Sequence, residues 1–292
     1  MAEHAAAGTP CVLATVVRCE PPTSAKPGDK AVITADGRLR GWIGGSCSEP
    51  VVRREALRAL AEGTPRLVKI VPALEAGASR RRGELTLATT CPSGGALDVF
   101  IEPQLPKPLL VVFGESPAAE TLARLGELTG FRSRTVSQAE LARLAVPVAD
   151  AWAVVATMGH YDEDALEAAL AFPDLDVALV ASRRRTAAVM EALRARGLPE
   201  AALARVRAPA GRLRGASQEE IALLALAEVV AQRRRRGLPS MVPETAAVFA
   251  TDPVCGMAVE VKPGAITAER DGVTDYFCCE GCRTQFLASA QV

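Results

Sequence analysis

The chain has 292 residues, 49% of them hydrophobic, which is enough for two domains with an appendage and a sizeable core. Lys+Arg and Asp+Glu each number 34, so no whole-chain charge argues for nucleic acid or for an anionic membrane surface. The start, Met-Ala-Glu-His-Ala-Ala-Ala, lacks the basic and apolar regions of a secretory signal, and the most apolar run, residues 221–231, is broken by Glu228 and too short to span a bilayer. A cytoplasmic protein without a membrane span is expected.

Residues 11–19 read as a strand rich in Val and Thr, closed by Pro21-Pro22. Residues 30–34 and 38–43 flank Asp36-Gly37, a strong hairpin signal. The run from Gly41 to Glu55 then turns on a glycine pair and opens a helix. Ser48 is the candidate N-cap, and Pro50 in the first turn costs no hydrogen bond. Val52, Ala56 and Leu60 recur at helical spacing, with Arg53, Arg54 and Arg58 for the other face, and Gly63 stops the helix. Gly44 and Gly45 can bring successive N–H groups into an anion-binding nest. The helix N-terminus should favour the thiolate of Cys47. The competing reading of these residues is a structural Gly-Gly turn with a small buried cysteine.

Residues 66–71 read as a strand, and residues 72–83 as a loop carrying Arg80, Arg81 and Arg82. A second Cys and Gly-Gly turn, Cys91 to Gly95, precedes a strand at residues 96–102, and the proline-rich residues 102–108 form a domain boundary. From Leu109 the pattern alternates strand (109–113, 131–136, 152–156, 177–181) and helix (118–128, 162–171, 186–196), the arrangement of a doubly wound parallel sheet. A last helix, 217–232, opens with the capping box Ser217-x-x-Glu220 and runs into Arg233 to Arg236. Its first strand-to-helix turn, Gly114-Glu115-Ser116-Pro117, keeps one glycine of the dinucleotide fingerprint and adds a carboxylate, which disfavours nicotinamide binding. Arg183, Arg184 and Arg185 oppose the dipole of the helix they precede; a bound phosphate or simple solvation both account for them.

The cysteines crowd at the end of the chain, four of the eight within the last 38 residues, which points to metal binding rather than a disulfide framework. After a linker, residues 237–250, comes Cys255-x22-Cys278-x3-Cys282 with Cys279 nested in it. So short a segment rarely builds its own core, and a thiolate site for zinc or cuprous copper through Cys255, Cys278, Cys279 and Cys282 would staple it. The adjacent Cys278-Cys279 pair leaves the fourth ligand open.

The Gly44-Gly45-Ser-Cys47-Ser-Glu49 run resembles the signature of the XdhC/CoxI/CoxF family, accessory proteins of molybdenum hydroxylases such as xanthine dehydrogenase and carbon monoxide dehydrogenase. Ser182-Arg183-Arg184, Gly159 to Leu166, and Pro209 to Gly215 resemble elements of its second domain, and the C-terminal cysteines resemble a YHS domain. The resemblance implies three parts: an α+β domain at 10–104, a Rossmann-like domain at 109–236 and a small Cys-rich metal-binding module at 251–292. It further implies a molybdenum-cofactor chaperone assisting sulfuration and insertion into an apo hydroxylase, with a cysteine desulfurase as a second partner and homo-oligomerisation left open. On that reading Gly44, Gly45, Cys47, Arg183, Arg184 and Arg185 hold the cofactor, and no residue is assigned a catalytic role. An NAD(P)-dependent oxidoreductase and a metal-handling protein are the alternatives.

Overall fold

The computed structural model describes residues 8–45, 47–72, 84–89, 94–146, 149–211 and 215–289. Arg80 to Arg82, Cys91 and residues 212–214 of the closing motif lie outside them. The chain divides into two compact units, Met1–Pro106 with Ser240–Val292, and Lys107–Pro239.

The first unit begins with β1 (Cys11–Glu20), β2 (Lys30–Thr34), β3 (Leu39–Gly41), α1 (Glu49–Glu62), β4 (Arg66–Pro72), β5 (Glu84–Thr89) and β6 (Ala96–Gln104). They form a sheet in the order β3-β2-β1-β6-β4-β5, antiparallel except for the β4–β5 pair. Val12, Ala14 and Val16 alternate inward along β1 and meet Val52, Ala56 and Leu60 of α1, so the expected helical face is the core face. The Asp36-Gly37 hairpin forms, with Ile33 opposite Leu39. Its second strand stops at Gly41 instead of residue 43. There φ is +119°, and a Cβ would stand 2.4 Å from the Lys30 carbonyl oxygen, so only glycine fits. Gly63, at φ +65°, ends α1 as expected.

Arg53 and Arg54 depart from the expected solvent face, with side chains only 13% and 11% exposed. The cause for Arg54 is Glu55, a fully buried carboxylate paired with Arg54 (3.0 Å), Arg58 (2.9 Å) and Arg66 (3.1 Å).

The second unit contains β7 (Leu109–Phe113), α2 (Pro117–Leu128), β8 (Arg132–Val136), β9 (Ala151–Val155), α3 (Asp162–Leu170), β10 (Asp176–Leu179), α4 (Arg183–Ala195), α5 (Glu200–Leu203), β11 (Val206–Arg207) and α6 (Gln218–Arg236). Its sheet is all parallel in the order β11-β10-β9-β7-β8. That is a doubly wound sheet whose order reverses between β7 and β9. Leu109, Val111 and Phe113 pack against α3 and α4, while Leu110 and Val112 pack against α2 and α6. The expected parallel α/β domain is present. The capping box at Ser217 and Glu220 forms, and α6 continues through the arginine run because Arg233 pairs with Asp150 and Arg236 with Asp176. Among the described residues no helix is long and apolar enough to cross a membrane.

The chain then returns to the first unit with β12 (Phe249–Thr251), β13 (Ala258–Glu260), β14 (Ile266–Arg270), β15 (Val273–Phe277) and α7 (Glu280–Ala288). The segment expected as linker is partly structural. Met241, Val242 and Phe249 pack against the core formed by β1 and α1, Ala258 is buried in it, and the Ala247 N–H donates to the Asp36 carbonyl at 3.0 Å. Arg53 of α1 makes a forked pair with Glu260 at 2.7 and 3.1 Å, and its guanidinium lies 5.3 Å from the centre of the Phe249 ring.

Candidate functional site

Three places carry the residues singled out in the sequence. At the C-terminal cysteines, Sγ of Cys278 lies 3.5 Å from Cys255 and 3.7 Å from Cys282. Two sulfurs on a tetrahedral zinc at about 2.3 Å stand about 3.8 Å apart, so the spacing fits thiolates around one soft ion. The fourth residue of the group is Asp252, with all ligand atoms within 4.8 Å of one another. Sequence reasoning missed it, although an Asp two residues before Val254 and three before Cys255 is the signal of a side chain folding over its own turn. Oδ1 of Asp252 accepts from the N–H of Val254 (2.9 Å) and Cys255 (3.3 Å), and Oδ2 from the N–H of Cys278 (2.9 Å). The buried carboxylate therefore ties the two cysteine-bearing loops together. Burial raises its pKa, but the N–H donors of Cys278 and Val254 outweigh that and hold it below its ordinary value.

Cys279, expected with these ligands, is not in that group. It is the extended N-cap of α7, and neighbouring residues in extended backbone face opposite ways. Burial, then the neighbouring Cys255 thiol, pushes the Cys278 thiol up. Burial likewise carries Cys282 to about 12, whereas N–H donors at Cys282 lower the exposed Cys279.

At the glycine turn Gly44 has φ +116°, while Gly45 lies outside the positive-φ region. A Cβ on Gly44 would meet Ser48 Oγ at 2.7 Å, whereas one on Gly45 finds nothing nearer than Ser24 Oγ at 4.0 Å. Ser48 occupies the N-cap position, but its hydroxyl donates to the Gly45 carbonyl at 3.0 Å instead of receiving a helix N–H. The same carbonyl accepts from the N–H of Ser48 and Glu49, so two N–H groups at the helix start are used inside the turn. Cys47 is partly exposed just ahead of α1.

In the second unit, a cavity of about 450 Å³ opens at the carboxyl ends of β7, β9 and β10, where the strand order reverses. Arg185 lines it. Its Nε donates to Asp162 at 2.9 Å and an Nη to Glu163 at 2.9 Å. The hydrogen bond to Asp162 holds the guanidinium above its ordinary pKa. Those carboxylates at the start of α3 account for an arginine in the first turn of α4. Arg183 and Arg184 are exposed. Helix α4 begins at Arg183, three residues earlier than expected, because Ser182 caps it by accepting the Arg185 N–H at 3.1 Å. Gly44, Gly45 and Cys47 belong to the first unit and the arginines to the second.

Residues 4–71 match the XdhC and CoxI family, and residues 110–229 match the XdhC Rossmann domain. The chain carries both domains of this family. A protein of Escherichia coli (strain K12) described as uncharacterized protein YqeB is 32% identical over 222 residues, 68% of this chain and 39% of that protein. The chain thus spans about two fifths of the relative's length. A solved structure described as a xanthine dehydrogenase from Bacillus halodurans is similar at 18% identity, covering 80% of this chain and 96% of that one, with a TM-score of 0.38.

Proposed function

We propose that the chain holds the molybdenum cofactor, assists its sulfuration together with a cysteine desulfurase, and hands it to an apo hydroxylase of the xanthine or carbon monoxide dehydrogenase type. The observation that carries this reading is a partly exposed thiol, Cys47, on a glycine turn inside the matched XdhC and CoxI domain. A molybdenum dithiolene supplies a soft metal centre and a sulfur-exchange position, and a thiolate is the side chain suited to approach it. Gly44 and Gly45 let the backbone come close to the ligand phosphate; the exposed Arg183 and Arg184 of the second unit are the alternative phosphate contacts. The C-terminal cysteines form a YHS-type module in this reading, holding zinc or cuprous copper through Cys255, Cys278 and Cys282 as a structural staple.

The nicotinamide alternative is disfavoured by the turn after β7. Pro117 has no N–H, the Ala119 N–H is taken by Ser116 Oγ at 3.1 Å, and Glu115 is exposed beside them. Titration with NADH and NADPH followed by intrinsic fluorescence should give no binding in the low micromolar range. The cofactor reading is tested by metal analysis and pterin fluorescence of the purified chain and its Cys47→Ser variant. Cofactor content, or activity of the hydroxylase matured with the variant, should fall with little change in Tm. Unchanged transfer by a stable variant removes the thiol from the mechanism.

A further inference from the structure

The cavity of the second unit is built differently from a phosphate site. Four helices start around it: α2, α4 and α6 are capped by serines, while α3 has no side-chain cap but carries Asp162, Glu163 and Asp164 in its first turn. Ser116 Oγ takes the Ala119 N–H at 3.1 Å and donates to the Ala156 carbonyl at 2.8 Å; Ser182 Oγ takes the Arg185 N–H; Ser217 Oγ takes the Glu220 N–H at 3.3 Å, while Glu220 accepts from the Ser217 N–H at 2.7 Å. At each serine-capped start one helix N–H is thereby taken, and the acidic first turn of α3 repels a phosphate. The one cation on the wall, Arg185, already faces the carboxylates of Asp162 and Glu163, so no positive charge is left over for a phosphate.

What remains to meet a ligand is specific. Among the described residues, Nη1 of Arg185, the Ser182 hydroxyl proton and the Gln218 side-chain amide have no partner. These are chiefly N–H and O–H donors, with the Gln218 carbonyl as an acceptor. The rest of the wall is alanine, glycine, Met158, Val180 and Ile221, with Ser116 and Asp162 already hydrogen-bonded within the protein. The volume is within the roughly 300–1,000 Å³ of small-molecule sites.

We infer that this cavity binds a neutral oxo-heterocycle by its lactam edge, the ring carbonyl toward Arg185 and Ser182 and the ring N–H toward Gln218. Pterins and oxopurines share that edge. The pterin source rests on the cofactor reading given above; the oxopurine source does not. Adenine presents an amino group where the carbonyl should be, and sets donor against donor.

The test is calorimetric titration of the full chain with biopterin, inosine, adenosine and pyrophosphate. Biopterin or inosine should bind at least tenfold tighter than adenosine and pyrophosphate. Ala118→Leu, which puts bulk into the cavity, and Gln218→Met, which keeps the side chain's length and removes its carbonyl acceptor, should each weaken that binding at least tenfold. Gln218 lies at the first helical position with the Ser217 cap intact, so this variant keeps its fold and its Tm. Binding of biopterin alone identifies the cofactor ring. Binding of inosine alone leaves the inference standing and takes the site away from the cofactor. Adenosine or pyrophosphate binding as tightly, no saturable binding of either lactam ring, or equal binding by both variants overturns it.

Discussion

Gly44 and Gly45 are neighbours with different requirements. Gly44 needs its positive φ and sits where a methyl group would strike Ser48 Oγ, whereas Gly45 has open space. Gly44→Ala should therefore cost roughly 1–3 kcal/mol, read as a lower Tm, while Gly45→Ala leaves Tm nearly unchanged. The C-terminal cysteines make a second contrast. Cys255→Ser should remove the bound ion measured by plasma emission, and Cys279→Ser should retain it, since Cys279 lies outside the cluster of ligand atoms. Equal loss in both variants would return Cys279 to the ligand set. Cys255, Cys278 and Cys282 were legible from spacing alone. Asp252 was not, because its role depends on three backbone N–H groups, one of them brought from Cys278 by the fold.

At the scale of elements, Arg53 on α1 and Glu260 on β13 join stretches 207 residues apart. Arg53 first, with Lys262, holds the Glu260 carboxyl down to about 2 against the effect of burial. A carboxyl whose folded pKa is depressed stabilises the protein above its unfolded value, about 4.3, and loses that contribution as pH falls toward 2. Glu260→Gln should lower the stability of the first unit by about 2 kcal/mol at neutral pH and flatten its loss between about pH 4 and pH 2 in thermal scans. The elements of the second unit were easier to read. β7 and β9 are buried on both faces and appear in sequence as continuous apolar runs, and the helices between them carry a clear period. β12 was hidden inside an apparent linker. Its three residues owe their conformation to β13 and to the core beneath, and neither leaves a local signal. β5 was missed because a short parallel edge strand depends on its pairing with β4.

For the whole molecule, the cysteine module is a part of the first unit as well as the proposed metal site. Truncation at residue 250 removes Ala258 from the core and Glu260 from Arg53. It should lower the unfolding temperature of the first unit and leave the separate transition of the second, residues 107–239, in place. Calorimetry resolves the two transitions; an unshifted first one would mean that the module contributes no stability there. Loss of cofactor in such a truncation therefore reports on folding as well as on metal, and the point substitutions are the cleaner probes.

The return of the chain to the first unit also sets an order of events during synthesis. Residues 107–239 form one uninterrupted stretch and can close as soon as they leave the ribosome. The sheet of the first unit is finished by Gln104, yet Arg53 waits for Glu260 and the core waits for Ala258. At about 5–20 residues per second that delay is roughly 10–30 s, during which apolar surface on the nascent first unit stays uncovered. A chaperone acting on this chain would find its client there, in the earlier-made stretch that waits for Ala258 and Glu260 to complete it.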